Sequence, residues 1–360
     1  MVAGAVNLLV LEGDGIGAEI TAATLAVLRA AAQRFALTLA CEPATIGWAA
    51  HRAQGTTMPD AVFDKAKAAD GIILGPVSHN EYPPKAEGGL NPSGEMRRRL
   101  DLYANIRPAP SRPGFPPRCG VPVDLVVVRE NTEGFYADRS MHVGPGEFMP
   151  TPDLALAMRK ITRAGSTRIA EAAFKLARQR RRKVTCVHKA NVLRVSDGLY
   201  LECTRAVAAR YPDVAYEEQL IDAMAALLVR DASRFDVIVT TNMYGDILSD
   251  EASEIAGSLG LAASLNAGTE HGVAQAQHGS APDIAGKNIA NPSSLIGSAA
   301  MLLAWLGERR GDEALGRAAQ AIEAALDRVI ANPATRTPDM GGTLGTDAFG
   351  AAVAKAVASS

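Results

Sequence analysis

Asp246 and Asp250 stand four residues apart in NMYGDILSDEASE (242–254), so on a helix their carboxylates share one face. Like charges so placed repel unless a cation sits between them, and an all-oxygen pair suits Mg²⁺ or Mn²⁺. The same spacing also fits plain acidic decoration of a helix N-terminus, stabilised by the macrodipole. Arginines offer a second chemistry. Arg97, Arg98 and Arg99 are consecutive, Arg107 follows, and Arg129 closes an apolar run of three valines. A substrate with several carboxylates needs several guanidinium forks, because each binds a carboxylate bidentately. Successive helical side chains diverge by about 100°, so at most one or two of the triplet can face a common site, and a surface role is the plain reading of Arg98 and Arg99.

Tyr136 lies close to Arg129 in RENTEGFY, and Lys189 follows the apolar stretch of CVHKANVL. A tyrosine and a lysine with perturbed pKa values can exchange protons during oxidation of a hydroxyl and protonation of an enol. Each is equally at home in a structural role, and His188 is given none. The segment HGSAPDIAGKNIANP (278–292) is a long loop whose backbone amides can surround phosphates. Within it Asp283 could accept hydrogen bonds from an adenosine ribose diol and would repel a 2′-phosphate. GDGIG (13–17) lacks the spacing of a Rossmann fingerprint.

The elements that must position these residues follow from apolar patterning. NLLVLEGDGIG (7–17) is an apolar run closed by a glycine turn, and residues 19–35 repeat apolar side chains at helical spacing. Strands are expected over 70–77, 123–130, 183–189 and 234–242, helices over 154–180 and 196–210, and a surface loop over 78–94. This alternation predicts an α/β fold with a largely parallel core. Ser78, Arg129, Lys189 and Asn242 fall where apolar runs stop, the place where open α/β sheets bind ligands. ARQRRRK (177–183) reads as a solvated helix end.

A chain of 360 residues suggests about two domains. Its 37 basic and 39 acidic residues nearly cancel, which gives no reason to expect nucleic acid or an anionic membrane as partner. No stretch approaches the roughly 18–20 apolar residues of a membrane span. The first basic residue is Arg29, and Glu12 and Asp14 interrupt the opening apolar run, so no secretory signal is expected. Cys41, Cys119, Cys186 and Cys203 lie far apart with no C-x-x-C pair, so reduced thiols and a cytoplasmic location are expected.

Taken together, LEGDGIGAEI, RRRLDLYANIRP, VVVRENTEGFY, HKANVL, FDVIVTTNMYGDILSD, HGSAPDIAGKNIANP and RTPDMGG resemble the isocitrate/isopropylmalate dehydrogenase family of β-decarboxylating dehydrogenases. They run in family order from residue 11 to about residue 349. RRRLDLYANIRP and HKANVL are most like homoisocitrate and NAD-isocitrate enzymes. The resemblance implies a two-domain α/β sandwich around a mixed sheet, not a Rossmann fold. The cofactor-side domain would be discontinuous, about 1–102 plus 257–360. A central domain, 103–256, would carry the dimer contact and the metal aspartates.

By the same resemblance, Arg97, Arg107 and Arg129 would clamp the substrate's carboxylates. Asp246 and Asp250 would bind Mg²⁺ or Mn²⁺, joined by Asp222 of QLIDAMA. Tyr136 and Lys189 would be the acid/base pair, with Lys189 and Asp222 coming from the neighbouring subunit of a homodimer or higher oligomer. Ser78, Asn191, His278, Gly279, Asp283, Ile284 and Asn291 would line the cofactor, and Asp283-Ile284 resembles the NAD-using branch.

The implied reaction is NAD-dependent oxidation and decarboxylation of a 2-hydroxy-3-carboxy acid. Polar Asn91 and Ser93, where isopropylmalate enzymes usually show leucines, favour an isocitrate- or homoisocitrate-like substrate. The alternatives are a 3-isopropylmalate enzyme, a tartrate or D-malate enzyme, or a non-catalytic regulatory subunit. The chain also departs from the family pattern. Gly94 stands where homoisocitrate enzymes often have arginine. Gln275, Ala276 and Gln277 replace the common Glu-Pro-Val, a change expected to alter cofactor-loop packing. His79 is open to either ligand or solvent.

Overall fold

A computed structural model describes residues 4–136, 141, 144 and 146–359. Its strands are β1 (Val6–Leu11), β2 (Leu39–Pro43), β3 (Gly71–Leu74), β4 (Ala104–Pro110), β5 (Asp124–Glu130), β6 (Glu147–Thr151), β7 (Leu154–Ala157), β8 (Lys183–His188), β9 (Ala215–Leu220), β10 (Val237–Thr240), β11 (Leu265–Ala267) and β12 (Gly272–Gln275). The helices are α1 (Gly17–Phe35), α2 (Gly47–Gln54), α3 (Asp60–Ala68), α4 (Pro92–Arg99), α5 (Arg163–Arg178), α6 (Ser196–Ala208), α7 (Ile221–Asp231), α8 (Asn242–Ala256), α9 (Ser293–Arg310), α10 (Glu313–Ala331) and α11 (Thr346–Ala358).

Ten strands form one sheet in the order β2-β1-β3-β12-β11-β4-β5-β10-β8-β9, and β6 and β7 form a separate hairpin. The outer blocks β2-β1-β3-β12 and β5-β10-β8-β9 are parallel, as the apolar runs predict. The centre differs: β12-β11, β11-β4 and β4-β5 are antiparallel. Chain length explains two of these reversals. A parallel return needs a crossover of a dozen or more residues, usually helical. Only residues 268–271 join β11 to β12, and the link between β4 and β5 carries Pro113, Pro116, Pro117 and Pro122, which suppress a helix.

Each block is buried on both faces. In β1, Val6, Leu8 and Val10 join a core with α1, α9, α10 and α11, while Leu9 and Leu11 face a second core with Phe63 and Met96. In the other block, Val126 and Val128 pack with α5 and α6, while Leu125 and Val127 pack with α7 and α8. Strand alternation therefore places Arg129, like Leu125 and Val127, beneath α8.

Two sequence expectations change. The helix expected from residue 154 starts only at Arg163, where the Thr162 side chain accepts from the Gly165 amide; Leu154–Ala157 is strand β7. Leu154, Leu156 and Met158 alternate with period two, which is a strand signal. The basic run 177–183 is also more than solvated. Arg180 Nε donates to buried Asp236 at 2.8 Å, and its Nη2 to Asp124 at 2.7 Å. Among the described residues, no helix is long and apolar enough to cross a membrane.

Candidate active site

Arg129, the penultimate residue of β5, is 1% exposed and is the largest fully buried side chain among the described residues. It fits beneath α8 because Gly245 has no side chain there; a Cβ would come within 2.7 Å of Arg129 Cβ. Its Nε and Nη2 donate to Asn242 Oδ1 at 3.0 and 2.6 Å, and Nη1 donates to Asp246. Arg107, on the adjacent β4, donates from Nη1 to Ser249 at 2.8 Å, Asp246 at 3.2 Å and Asp250 at 3.3 Å. Burial pushes its pKa down to about 10, helped by the neighbouring Arg129 charge, so it remains a cation at neutral pH.

Asp246 and Asp250 lie one turn apart on α8, as their spacing predicts. Tyr136 donates its hydroxyl to Asp246 Oδ2 at 3.1 Å. Burial opposes the Asp246 charge, but Arg129, Arg107 and Arg97 outweigh it and hold the carboxyl below its ordinary range. Asp246, Tyr136, Arg107 and Arg129 border a cavity of about 290 Å³ with Arg97, Asn91, Ser93, His79, His278 and Gly279; Asp250 stands outside its lining. Of the arginine triplet on α4, only Arg97 reaches this cavity. Arg98 pairs with Glu95 at 2.7 Å and Arg99 with Asp60 at 2.9 Å.

The polar rim has a defined polarity. Asn91 caps α4 by accepting from the Gly94 amide at 3.2 Å, which commits its carbonyl and leaves its NH₂ for the cavity. Ser93 donates to Gln275 Oε1 at 2.9 Å. Gln277, also on this rim, donates to Asp250 Oδ1 at 2.6 Å. The sequence had marked Gln275 and Gln277 only as a departure in loop packing.

On the other side, GDGIG anchors the 278–292 loop. A Cβ on Gly15, at φ +56°, would come 2.0 Å from the Ser280 carbonyl oxygen. Asp14 accepts from the Trp48 and Ser78 amides at 2.8 and 3.0 Å and from the Tyr82 hydroxyl. Ser78 in turn meets the Ser280 hydroxyl at 2.8 Å. His278 Nδ1 lies 3.0 Å from the Gly279 carbonyl, which can only accept, so Nδ1 carries the proton. Burial lowers the imidazole pKa and keeps the ring neutral, and Nε2 is a buried acceptor without a partner among the described residues. That orphaned acceptor fits the exocyclic amine of an adenine. Asp283 is exposed and Ile284 packs partly against the large core. Asn291 is buried in structural duty, accepting from the Ser293 amide and donating to Asp339 at 3.0 Å each.

Lys189, Asn191 and Asp222 are elsewhere. Lys189 Nζ pairs with Asp222 Oδ1 at 2.5 Å at the surface, and that hydrogen bond holds the Asp222 carboxyl below its ordinary range. Exposed Asn191 follows the same strand end. The Lys189 amide donates to buried Asp197 at 2.6 Å, and Arg159 also binds Asp197. This support was not foreseen in the sequence. Among the described residues, no three His, Cys, Asp or Glu side chains gather at a common point. One chain thus offers two carboxylates, a set that fits a hard cation able to complete its shell with water and substrate oxygens.

The comparisons with known proteins agree with this geometry. The family model described as isocitrate/isopropylmalate dehydrogenase matches residues 7–353. The chain is 42% identical to an isocitrate/homoisocitrate dehydrogenase of Thermus thermophilus, over 99% of each chain. It is 40% identical to a 3-isopropylmalate/3-methylmalate dehydrogenase of Methanocaldococcus jannaschii, over 98% of each. Its fold matches the crystal structure of isocitrate dehydrogenase from Methylococcus capsulatus with TM-score 0.86 and 38% identity, covering 98% of this chain and 99% of that one. Members of this family generally use NAD(P) and a divalent metal to oxidise and decarboxylate small hydroxy acids. The chain belongs to the isocitrate/isopropylmalate dehydrogenase family of decarboxylating oxidoreductases.

Proposed function

We infer that the protein is an NAD-dependent dehydrogenase that oxidises and decarboxylates an isocitrate- or homoisocitrate-like acid in a homodimer with shared sites. The observation that carries the substrate reading is the cavity itself. Three arginines face amide and hydroxyl groups of Asn91, Ser93 and Gln275, where an isopropyl group would need an apolar lining. The names of relatives point both ways, including homoisocitrate and 3-isopropylmalate enzymes. The polar rim favours the former.

Arg97, Arg107 and Arg129 bind and orient the substrate carboxylates. Asp246 and Asp250 hold Mg²⁺ or Mn²⁺, with Asp222 of the second subunit as a further ligand. When bound, NAD⁺ supplies the hydride acceptor and the cation supplies charge that favours the oxidised, decarboxylating substrate. Lys189 of the second subunit takes the C2 hydroxyl proton, and Tyr136 returns a proton to C3. His278 and Gly279 line the adenosine side, with Ser78, Ile284 and Asn291 shaping it. Exposed Asp283 favours a free ribose 2′-hydroxyl and hence NAD⁺, while Asn191 travels with Lys189.

The dimer is supported by exposed apolar residues: Val192 and Val195, just after Lys189 in the chain, Val229 on α7 and Ile247 on α8. Phe148, Met149, Leu154 and Leu156 of the β6-β7 hairpin are also exposed. Such a surface signals a partner. The cores also support dividing the chain into 1–102 plus 257–360 and 103–256. The largest core draws its buried residues from Val6–Ile73 and Leu261–Val357, and two others draw theirs from residues 104–256. Four free cysteines agree with a cytoplasmic setting.

The test is a kcat/KM panel with Mn²⁺ across isocitrate, homoisocitrate and 3-isopropylmalate, each with NAD⁺ and NADP⁺. A tricarboxylate with NAD⁺ should lead 3-isopropylmalate by at least about tenfold, or 1.4 kcal/mol in transition-state binding. The reverse order would overturn the substrate reading.

A further inference from the structure

Gln277 joins the two sides of the cavity. It directly precedes His278, and its backbone amide donates to Ser294 Oγ, at the start of α9, at 3.2 Å. Its side chain crosses to α8, where Nε2 donates to Asp250 Oδ1 at 2.6 Å and lies 3.5 Å from Ser253 Oγ. A carboxylate accepts, so this contact fixes which end of the Gln277 amide is nitrogen. The carbonyl Oε1 therefore points the other way, buried and without a partner among the described residues.

The two aspartates of α8 are held very differently. Asp246 is gripped by Arg107, Arg129 and Tyr136. Asp250 has a side chain 53% exposed, and besides Gln277 its contact is Arg107 at 3.3 Å. Both donors reach the same Oδ1, which leaves Oδ2 for a ligand. A half-exposed carboxylate loses rotamer freedom when it binds, and one already held in place has less to lose. The orphaned Oε1 is the second half of the arrangement. A buried acceptor calls for a donor, and a hard cation that keeps part of its water shell brings one. Valine, which the family commonly carries at this place, could supply neither contact. The bridge is this chain's addition to the family plan, not a requirement of the reaction.

Resting on the cation reading above, we propose that Gln277 is a positioning residue for the divalent cation. From the foot of the 278–292 loop it holds Asp250 with Oδ2 free, and its carbonyl accepts from the cation's water. Because the bridge starts beside His278, fixing either end stiffens the other. Cation and nucleotide then tighten each other's binding by the same factor, as linkage demands.

The experiment titrates Mn²⁺ into the full chain as wild type, Q277V, Q277M and D250N. Free Mn²⁺ is read by electron paramagnetic resonance, without substrate, and the titration is repeated with saturating NAD⁺. Thermal midpoints of the cation-free proteins serve as folding controls. Q277V installs the common family residue, and Q277M keeps the length of the side chain. In both, the Mn²⁺ Kd should rise about tenfold, the lower end for loss of a group that orients a metal ligand. NAD⁺ should lower the Mn²⁺ Kd about fivefold in wild type and by less than about twofold in the two variants.

Mn²⁺ affinity within about twofold of wild type in both variants, or an undiminished NAD⁺ effect in them, overturns the assignment. If D250N binds Mn²⁺ as tightly as wild type, the cation reading itself fails. The two failures are therefore distinguishable.

Discussion

The two groups of polar residues in this chain are built in opposite ways. The cavity group is buried: Arg129 is 1% and Arg107 6% exposed, and both are tied into α8 through Asn242, Ser249 and Asp246. The Lys189–Asp222 group is a surface pair, with the Asp222 side chain 65% exposed, among uncovered valines. The difference teaches that the first group is held by the fold, while the second, on the shared-site proposal, awaits a partner. Changes to the first should affect stability as well as turnover, and changes to the second should affect turnover alone.

The largest expected effect is on turnover. Lys189→Met should lower kcat by about 10²–10⁴-fold, the span for a lost acid/base group. Its unfolding free energy should shift by no more than about 1 kcal/mol, as for an exposed ion pair. A large drop in denaturant midpoint would break the comparison. Arg129→Met should lower turnover and stability together, costing roughly 1.5–3 kcal/mol in denaturant unfolding because Asp246 and Asn242 lose a charged donor. A smaller effect is expected at the cofactor rim. Asp283→Lys should reduce kcat/KM for NAD⁺ by about tenfold, the scale of a lost charged hydrogen bond, and leave substrate KM unchanged. No change would remove Asp283 from the nucleotide site.

The smallest effect is in pH dependence. The Asp246 carboxyl lies lower in the folded chain than unfolded, since the arginines outweigh burial. Its contribution is therefore complete above about pH 4 and is lost as pH falls through the folded value. Stability differences between wild type and D246N should shrink on acidification through that window. Curves that stay parallel would contradict the ion-pair account.

Much of the cavity was legible because its residues end apolar runs or sit at helical spacing. Arg129 after three valines and Asp246 at helical spacing line the cavity, and of the arginine triplet only Arg97, carried over from the family resemblance, does so. The antiparallel centre of the sheet was hidden from apolar patterning, although the family resemblance implied a mixed sheet. β11 and β12 are three and four residues long, too short for periodicity, and β11 pairs with β4 from far away in sequence. The prolines between β4 and β5 carried a readable signal. The bridge from Gln277 to Asp250 was invisible because the two residues come from separate segments and no spacing joins them.

Doubly tagged hybrid dimers of K189M and D246N test the shared-site account most directly. Each parent should be nearly inactive. If Lys189 serves the partner's cavity, one of the hybrid's two sites pairs a wild-type cavity with a wild-type lysine, and about half of wild-type activity should return. Hybrids as inactive as both parents would show that each chain completes its own site, and would contradict the account.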